Sequence, residues 1–188
     1  MLAIHDVIIM QKREFDTFTI TKNTPLQVVE YYGRECTGCG KCCNLDSGIV
    51  LEEDIPRLAS NFGLTEKEFS EKYLVEHEKF NTKVWKLKQE KKQGKPYGRC
   101  VLLNEKNQCS VHEIKPLHCR ACSTASKHGE QLSLWFTLNH LVNPNDPESI
   151  RQWAQYLQTH PTIPGGNLQD LVPDKERLAK ILSYEIFR

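Results

Sequence analysis

The sequence predicts an α+β fold with a small antiparallel β-meander, short helices, a cysteine-rich metal-binding loop and C-terminal helices. A chain of 188 residues can bury one hydrophobic core. Apolar and polar residues alternate over about 85–111, and apolar residues recur at helical spacing near the C-terminus. We expect a single domain over 1–188, with an N-terminal arm at 1–33, a cysteine-cluster metal-binding core at 36–122 and a C-terminal helical extension at 125–188.

The segments before the meander carry short strand and helix signals. Residues 7–10 and 15–20 favour β-structure, so we interpret the N-terminal arm as loosely packed or as an edge hairpin. DIPRLASNFG predicts a helix capped by Asp54, with a proline near its start and a glycine just past its end. Thr65 and Glu68 form a capping box that predicts a second short helix.

The meander itself is predicted to end in a hairpin, CVLLNEKNQCSV, that turns near residues 104–107. In that register Cys109 faces Leu102, and Cys100 lies two residues further along the same face. Diagonal neighbours on one face are roughly 7 to 8 Å apart, which is too far for an easy disulfide. The two thiols are therefore predicted to converge on a bound centre, provided that the register does not slip by a residue.

After the last cysteine the pattern becomes mainly helical. Residues 132–141 are apolar and aromatic, and they fit either a strand or a helix. Residues 147–159 have apolar side chains at helical spacing with Pro147 in the first turn, and Asp174 can cap a last helix. The segment PTIPGGN at 161–167 predicts a loop.

Composition excludes several classes of protein. The chain has 25 Lys and Arg against 24 Asp and Glu, so no overall charge favours nucleic acid or a membrane surface. No apolar run is long enough to span a bilayer, and the first residues lack a basic, secretory-type start. We therefore expect a cytoplasmic protein without a membrane partner, and we consider nucleic-acid binding disfavoured.

Cysteine usage points to a metal. Eight cysteines are about 4 % of the chain, below the roughly 8 to 10 % typical of disulfide scaffolds. In a reducing compartment, clustered cysteines are more often metal ligands or redox groups than structural disulfides.

The stretch CTGCGKCC places Cys36, Cys39 and Cys42 at intervals of three, with Cys43 adjacent. Intervening glycines let the backbone fold tightly and leave N–H groups free for sulfur, as in zinc knuckles and iron–sulfur loops.

The other four cysteines form a distant second group. Eight thiols can fill two four-ligand sites, of zinc or of an iron–sulfur cluster. Cys43 and Cys100 are 57 residues apart, so the fold must bring the two groups together. His112, His118 and His128 lie near this group and any of them could complete a shell, with His118, which adjoins Cys119, the first choice. Arg120 is a candidate to lower a thiolate pKa or to neutralise an anionic centre. The predicted metal-binding residues are Cys36, Cys39, Cys42, Cys43, Cys100, Cys109, Cys119 and Cys122.

The combined pattern of CTGCGKCC, DIPRLASNFGL with EFSEKYL, and CVLLNEKNQCSVHEIKPLHCR resembles the YkgJ-type cysteine-cluster family of zinc- or iron-chelating proteins. The resemblance covers residues 36–122 and implies metal binding by all the cysteines except Cys122. His112 stands where the family often has tyrosine, and Lys115 replaces an arginine. Ala121-Cys122 replaces an apolar-Phe-Pro segment, which adds Cys122 as an eighth candidate ligand.

These observations favour a cytosolic metal-binding protein that holds iron, as an iron–sulfur cluster, or zinc as the alternative. Related cysteine motifs occur in flagellin lysine N-methylases, so a protein lysine N-methylase-like enzyme is a second hypothesis. No glycine-rich loop after a strand supports a methyl-donor pocket. A zinc-stabilised binding module, with the basic stretch at 83–95 as its contact surface, is a third.

Overall fold

The computed structural model describes residues 18–186 apart from 46, 47, 92, 93, 96, 124 and 125. This part of the chain contains eight α-helices and two small antiparallel sheets, which confirms the predicted α+β class. The β-leaning stretch at 7–10, and most of the one at 15–20, lie outside the described residues. None of the described helices combines the length and apolar character needed to cross a membrane.

The larger sheet has three strands, β1 (Ile49–Val50), β2 (Leu74–Lys79) and β3 (Thr82–Leu87), in the order β1-β3-β2. Strands β2 and β3 form a hairpin whose two loop residues, Phe80 and Asn81, have φ values of 52° and 56°. Such a loop matches the twist of the flanking strands. A second sheet pairs β4 (Gln89–Lys91) with β5 (Gly98–Cys100).

The predicted bounds of the meander and the predicted register of its last hairpin are wrong. Strands β1 and β2 lie before residue 85, the predicted start of the meander, and β3 only overlaps that start. After Cys100 the predicted hairpin is reduced to an isolated bridge between Leu103 and Cys109. Cys109 therefore faces Leu103 instead of Leu102. Asn104 causes the shift, because its Oδ1 accepts hydrogen bonds from the N–H groups of Lys106 (3.0 Å) and Gln108 (2.9 Å). Asn104 pairs with Gln108 in this register, so the hairpin loop has three residues, 105–107, where the four residues 104–107 were expected.

The helices before the sheets follow the sequence signals only in part. Helix α1 (Leu26–Gly33) lies in the predicted N-terminal arm, so residues 26–33 form a helix and the alternative of an edge hairpin is wrong there. Helices α2 (Ile55–Asn61) and α3 (Glu66–Tyr73) confirm the predicted pair. The capping box of α3 is present, with the Thr65 N–H donating to Glu68 Oε2 at 2.9 Å.

Asp54 does not cap α2 with its side chain. Its buried carboxylate instead pairs with Arg57 at 2.6 Å and accepts hydrogen bonds from the backbone N–H groups of Leu117 (3.1 Å) and Leu51 (3.4 Å). A buried carboxylate is stable only when it is paired and hydrogen-bonded. Asp54 therefore connects the first turn of α2 to helix α4 (Leu117–Ala121).

Four further helices complete the described chain: α5 (Gly129–His140), α6 (Pro147–Leu157), α7 (Leu168–Leu171) and α8 (Lys175–Leu182). The ambiguous segment at 132–141 is thus helical almost throughout. Asp174 caps α8 as predicted, accepting from the N–H groups of Glu176 and Arg177 at 3.0 Å each.

Two hydrophobic clusters meet at β1. Ile49 and Leu51 point into the larger cluster, which is built mainly from α5, α6 and α8. Val50, which lies between them, points into the smaller cluster around α2 and α3. Successive strand side chains face opposite sides, so one short strand divides the two cores. The second group of cysteines lies beside the boundary between the two clusters. Cys100 and Cys109 pack in the smaller cluster, and Cys122 packs against the larger.

Candidate metal centre

One cavity of about 100 Å³ gathers every cysteine of the chain. All eight thiols are free, and no disulfide joins them. We call this space the thiol cavity; apolar residues of the smaller core and the first turn of α4 complete its wall. The cysteines that line it are Cys36, Cys39, Cys42, Cys43, Cys100, Cys109, Cys119 and Cys122.

The first four cysteines reach the cavity because the loop that carries them folds on itself. Gly38 and Gly40 both have a φ of 71°, a left-handed conformation that other residues adopt at a cost. Cys42 begins a 3₁₀ turn that ends at Asn44. The Asn44 side chain closes this turn, donating to the Gly40 carbonyl at 2.8 Å.

The same loop is docked on the hairpin that carries Cys109. Asn44 Nδ2 also donates to Asn107 Oδ1 at 3.1 Å. A side chain at Gly40 would overlap the Asn107 carbonyl oxygen, so the two backbones approach as closely as glycine allows. The predicted docking of the cysteine loop against the hairpin is confirmed. Convergence of Cys100 and Cys109 on one cavity is also observed, although the register from which it was inferred is wrong.

Helix α4 brings the last two cysteines. Cys119 lies within this helix and Cys122 follows its end. The Cys119 thiol faces Gly48, where an added methyl group would overlap Cys119 Sγ. The Cys122 thiol lines the same cavity and lies 4.0 Å from the Leu132 carbonyl oxygen of α5.

Seven of the thiols form an inner group. Each of the seven is close enough to another member that an ionised thiolate at one raises the pKa of its neighbour. In the adjacent pair Cys42 and Cys43 the sulfur atoms are 3.8 Å apart. Cys39 is the exposed cysteine and lies outside this group. The inner thiols are those of Cys36, Cys42, Cys43, Cys100, Cys109, Cys119 and Cys122.

Cys36 differs from the others in its pKa. Burial disfavours its thiolate, but a hydrogen bond from the Gly38 backbone, the His112 ring and the nearby Lys115 ammonium together outweigh burial and lower the pKa. The neighbouring Cys36 in turn raises the pKa of His112. Cys36 is therefore the thiol best prepared to ionise before a metal arrives.

The remaining thiols with altered pKa values are held in their neutral form. The hydrogen bond with Cys42 and then burial raise the pKa of Cys43. Burial raises the pKa of Cys100 to about 11 and that of Cys122 to about 12, and it also raises those of Cys109 and Cys119. Metal binding at these sulfurs must release protons, because the thiolate is the ligand.

Basic residues beside the cavity were only partly anticipated. His118 lines the cavity as expected, with its ring 4.8 Å from that of Phe136. His112 and Lys115 both act on a specific thiol, that of Cys36. His112 is one of the three candidate histidines, whereas the sequence marks Lys115 only as a departure from a family pattern. Arg120 pairs with the carboxylate of Glu30 at 2.5 Å, so its expected role as a direct neighbour of the thiols is not observed.

Within the described residues, no three His, Cys, Asp or Glu side chains are already placed as the ligands of one ion. The thiols surround a shared space and must turn inward to bind. Soft sulfur donors in this number suit zinc, copper(I) or an iron–sulfur cluster, whereas magnesium and calcium prefer oxygen. The residues present therefore fit a thiolate-bound metal by their chemistry and their proximity.

Comparison with known families supports this assignment. A family model described as "CxxCxxCC: Putative zinc- or iron-chelating domain" matches residues 35–136, slightly more than half of the chain. The match begins just before Cys36 and extends into α5, beyond the predicted limit at 122. No curated protein and no solved structure gives a significant match to the chain.

Proposed function

Because the chain belongs to the CxxCxxCC family of zinc- or iron-chelating domains, we propose that its thiol cavity is a metal centre of a cytosolic protein, with an iron–sulfur cluster as the preferred occupant and zinc as the alternative. The observation that carries the proposal is the convergence of all eight cysteines on one cavity. Eight free thiols suit a reducing compartment, which supports the cytosolic location.

The inner group supports a centre with four or more sulfur ligands. One tetrahedral zinc ion, or one cubane cluster, takes four thiolates, and seven inner thiols exceed that number. The three-residue spacing of Cys36, Cys39 and Cys42 and the left-handed glycines between them favour a cluster loop. All eight cysteines belong to the proposed set, and the inner seven are supported further because their thiols influence one another.

The protein's own groups prepare this site. Lys115 and His112 stabilise negative charge at Cys36, while burial removes Cys100 from water and shields most of the other cysteines in part. A bound cluster would supply one-electron chemistry, whereas zinc would supply structural stabilisation or Lewis acidity.

The deciding experiment is elemental analysis with an absorption spectrum on protein purified without oxygen. Iron in stoichiometric amount with acid-labile sulfide and a broad visible absorption would support the cluster. Stoichiometric zinc without colour would support the alternative. Protein that holds neither metal, and takes up neither on reconstitution in the reduced state, would refute the proposal.

A serine scan assigns the ligands. Each cysteine is replaced by serine, and Thr37→Ser serves as the matched control because Thr37 lines the cavity without a thiol. We expect loss of metal for variants of the inner seven and wild-type metal content for the control. Unchanged metal content in all the inner variants would place the metal elsewhere.

A further inference from the structure

A second, polar cleft of about 360 Å³ adjoins the thiol cavity. The C-terminal end of α1, the 3₁₀ turn at His112–Ile114 and helix α4 contribute to its walls. Cys36, His112 and Lys115 line both spaces, so the two share a wall. We call this second space the basic cleft; its charged residues are Arg34, Lys115, Arg120, His112, Glu30 and Glu113.

Both carboxylates of the basic cleft are already engaged. Glu30 Oε1 accepts a hydrogen bond from Arg120 at 2.5 Å. Glu113 Oε1 lies 3.4 Å from His112 Nδ1. Glu30 is thus paired with Arg120, and the Glu113 side chain is 95 % exposed to solvent, so neither carboxylate pairs with Arg34 or Lys115.

The cations retain unused capacity. Arg120 Nε is shielded from solvent and has no hydrogen-bond partner among the described residues. Lys115 is only 9 % exposed, its side chain lies beside the Cys36 sulfur, and it has no carboxylate partner among the described residues. Arg34 is exposed and forms no ion pair with the described residues. A buried ammonium and an unpaired buried N–H are both unfavourable without an acceptor.

From this arrangement we propose that the basic cleft binds a small oxyanion, a carboxylate- or phosphate-bearing molecule, between Arg34, Lys115 and Arg120. Arginine presents donors in a planar fork that matches both carboxylate and phosphate, and lysine adds a point charge. The bound anion lies against the same side chains that support Cys36, so it neighbours the metal centre without supplying a ligand to it. Anion binding does not depend on which metal the thiols hold.

The test is equilibrium dialysis of the full chain against radiolabelled inorganic phosphate and, separately, labelled citrate. Sodium chloride holds the ionic strength constant, so that a change in electrostatic screening by salt is not mistaken for specific anion binding. We expect saturable binding of one anion per chain, and the tighter of the two probes identifies the phosphate or the carboxylate class. Absence of saturable binding of both probes would overturn the proposal.

Two substitutions make the test specific. Arg34→Ala removes a cation that lines the basic cleft but not the thiol cavity, and we expect about tenfold weaker binding from the loss of a charge-assisted hydrogen bond. Lys67→Ala removes an equal charge from a side chain that is 84 % exposed and lies outside the cleft, and it should bind as the wild type does. Equal anion affinities for the two variants would refute the site. Metal content is measured in parallel, so that a failure of the anion site can be told apart from a failure of the proposed metal function.

Discussion

Replacing Gly48 by alanine should weaken metal binding without unfolding the protein. The added methyl carbon would overlap Cys119 Sγ, while Cys119 Cβ remains at an ordinary 3.8 Å. The backbone can therefore stay in place, but the sulfur must move by about 1.5 Å to regain van der Waals contact. Metal–sulfur distances tolerate only about 0.2 Å, so the added methyl group should restrict the positions from which the Cys119 sulfur can turn inward and act as a ligand.

We expect Gly48→Ala to lower metal affinity by about 10- to 100-fold, the range typical of residues that orient a ligand. Competition with a chromophoric chelator measures the affinity, and far-UV circular dichroism checks the fold. Gly63→Ala is the control, since a methyl group there contacts nothing within 4 Å and the φ of 64° costs only conformational strain. That control should lose about 1 kcal/mol of stability and keep its metal.

A double-mutant cycle tests the mechanism. If Gly48→Ala acts through the Cys119 sulfur, it should add little to the loss already caused by Cys119→Ser. Wild-type affinity in Gly48→Ala, or losses that add fully in the double variant, would refute the reasoning.

Three further predictions concern stability. Asp54→Asn should lower the free energy of unfolding by about 3 kcal/mol in urea titrations, because it leaves Arg57 without its buried partner; an effect below 1 kcal/mol would contradict this. Burial lowers the pKa of His140 in the folded protein. The neutral buried ring therefore contributes to folding stability above the unfolded pKa of about 6.5, and this stability is lost as the pH falls below that value, because the unfolded chain then binds a proton more readily. His140→Gln should therefore flatten the decline in melting temperature between pH 7 and 5, and equal slopes would count against burial as the cause. Gly33→Ala should separate α1 from α4, since a methyl group would overlap the Arg120 carbonyl oxygen; an unchanged melting temperature would show that the contact is dispensable.

Elements with a local signal could be predicted from the sequence. The capping box at Thr65, the cap at Asp174 and the proline-led helix α6 all satisfy backbone donors through residues near in sequence. The cysteine loop is local as well, because its glycines and Asn44 close it without distant help.

Elements that depend on distant contacts could not be predicted in the same way. Helix α1 has no side-chain cap, and Val29 and Tyr32 hold it by burial in the larger core. The register of the last hairpin follows from two hydrogen bonds to Asn104 that the alternation of apolar residues does not encode. Lys115 becomes important only because the fold sets it beside Cys36, 79 positions earlier in the chain.

The division of the cysteines between three segments gives the centre a structural consequence. The loop at 36–45, the hairpin at 100–109 and helix α4 are held together here by few direct bonds, of which Asn44 to Asn107 is the clearest. Sulfur ligands from all three would join these segments at one point in the folded chain, which the hydrogen bonds alone do only weakly. A metal bound across these segments therefore adds to folding stability as well as to chemistry, since a site that exists only in the folded chain contributes its binding free energy to folding.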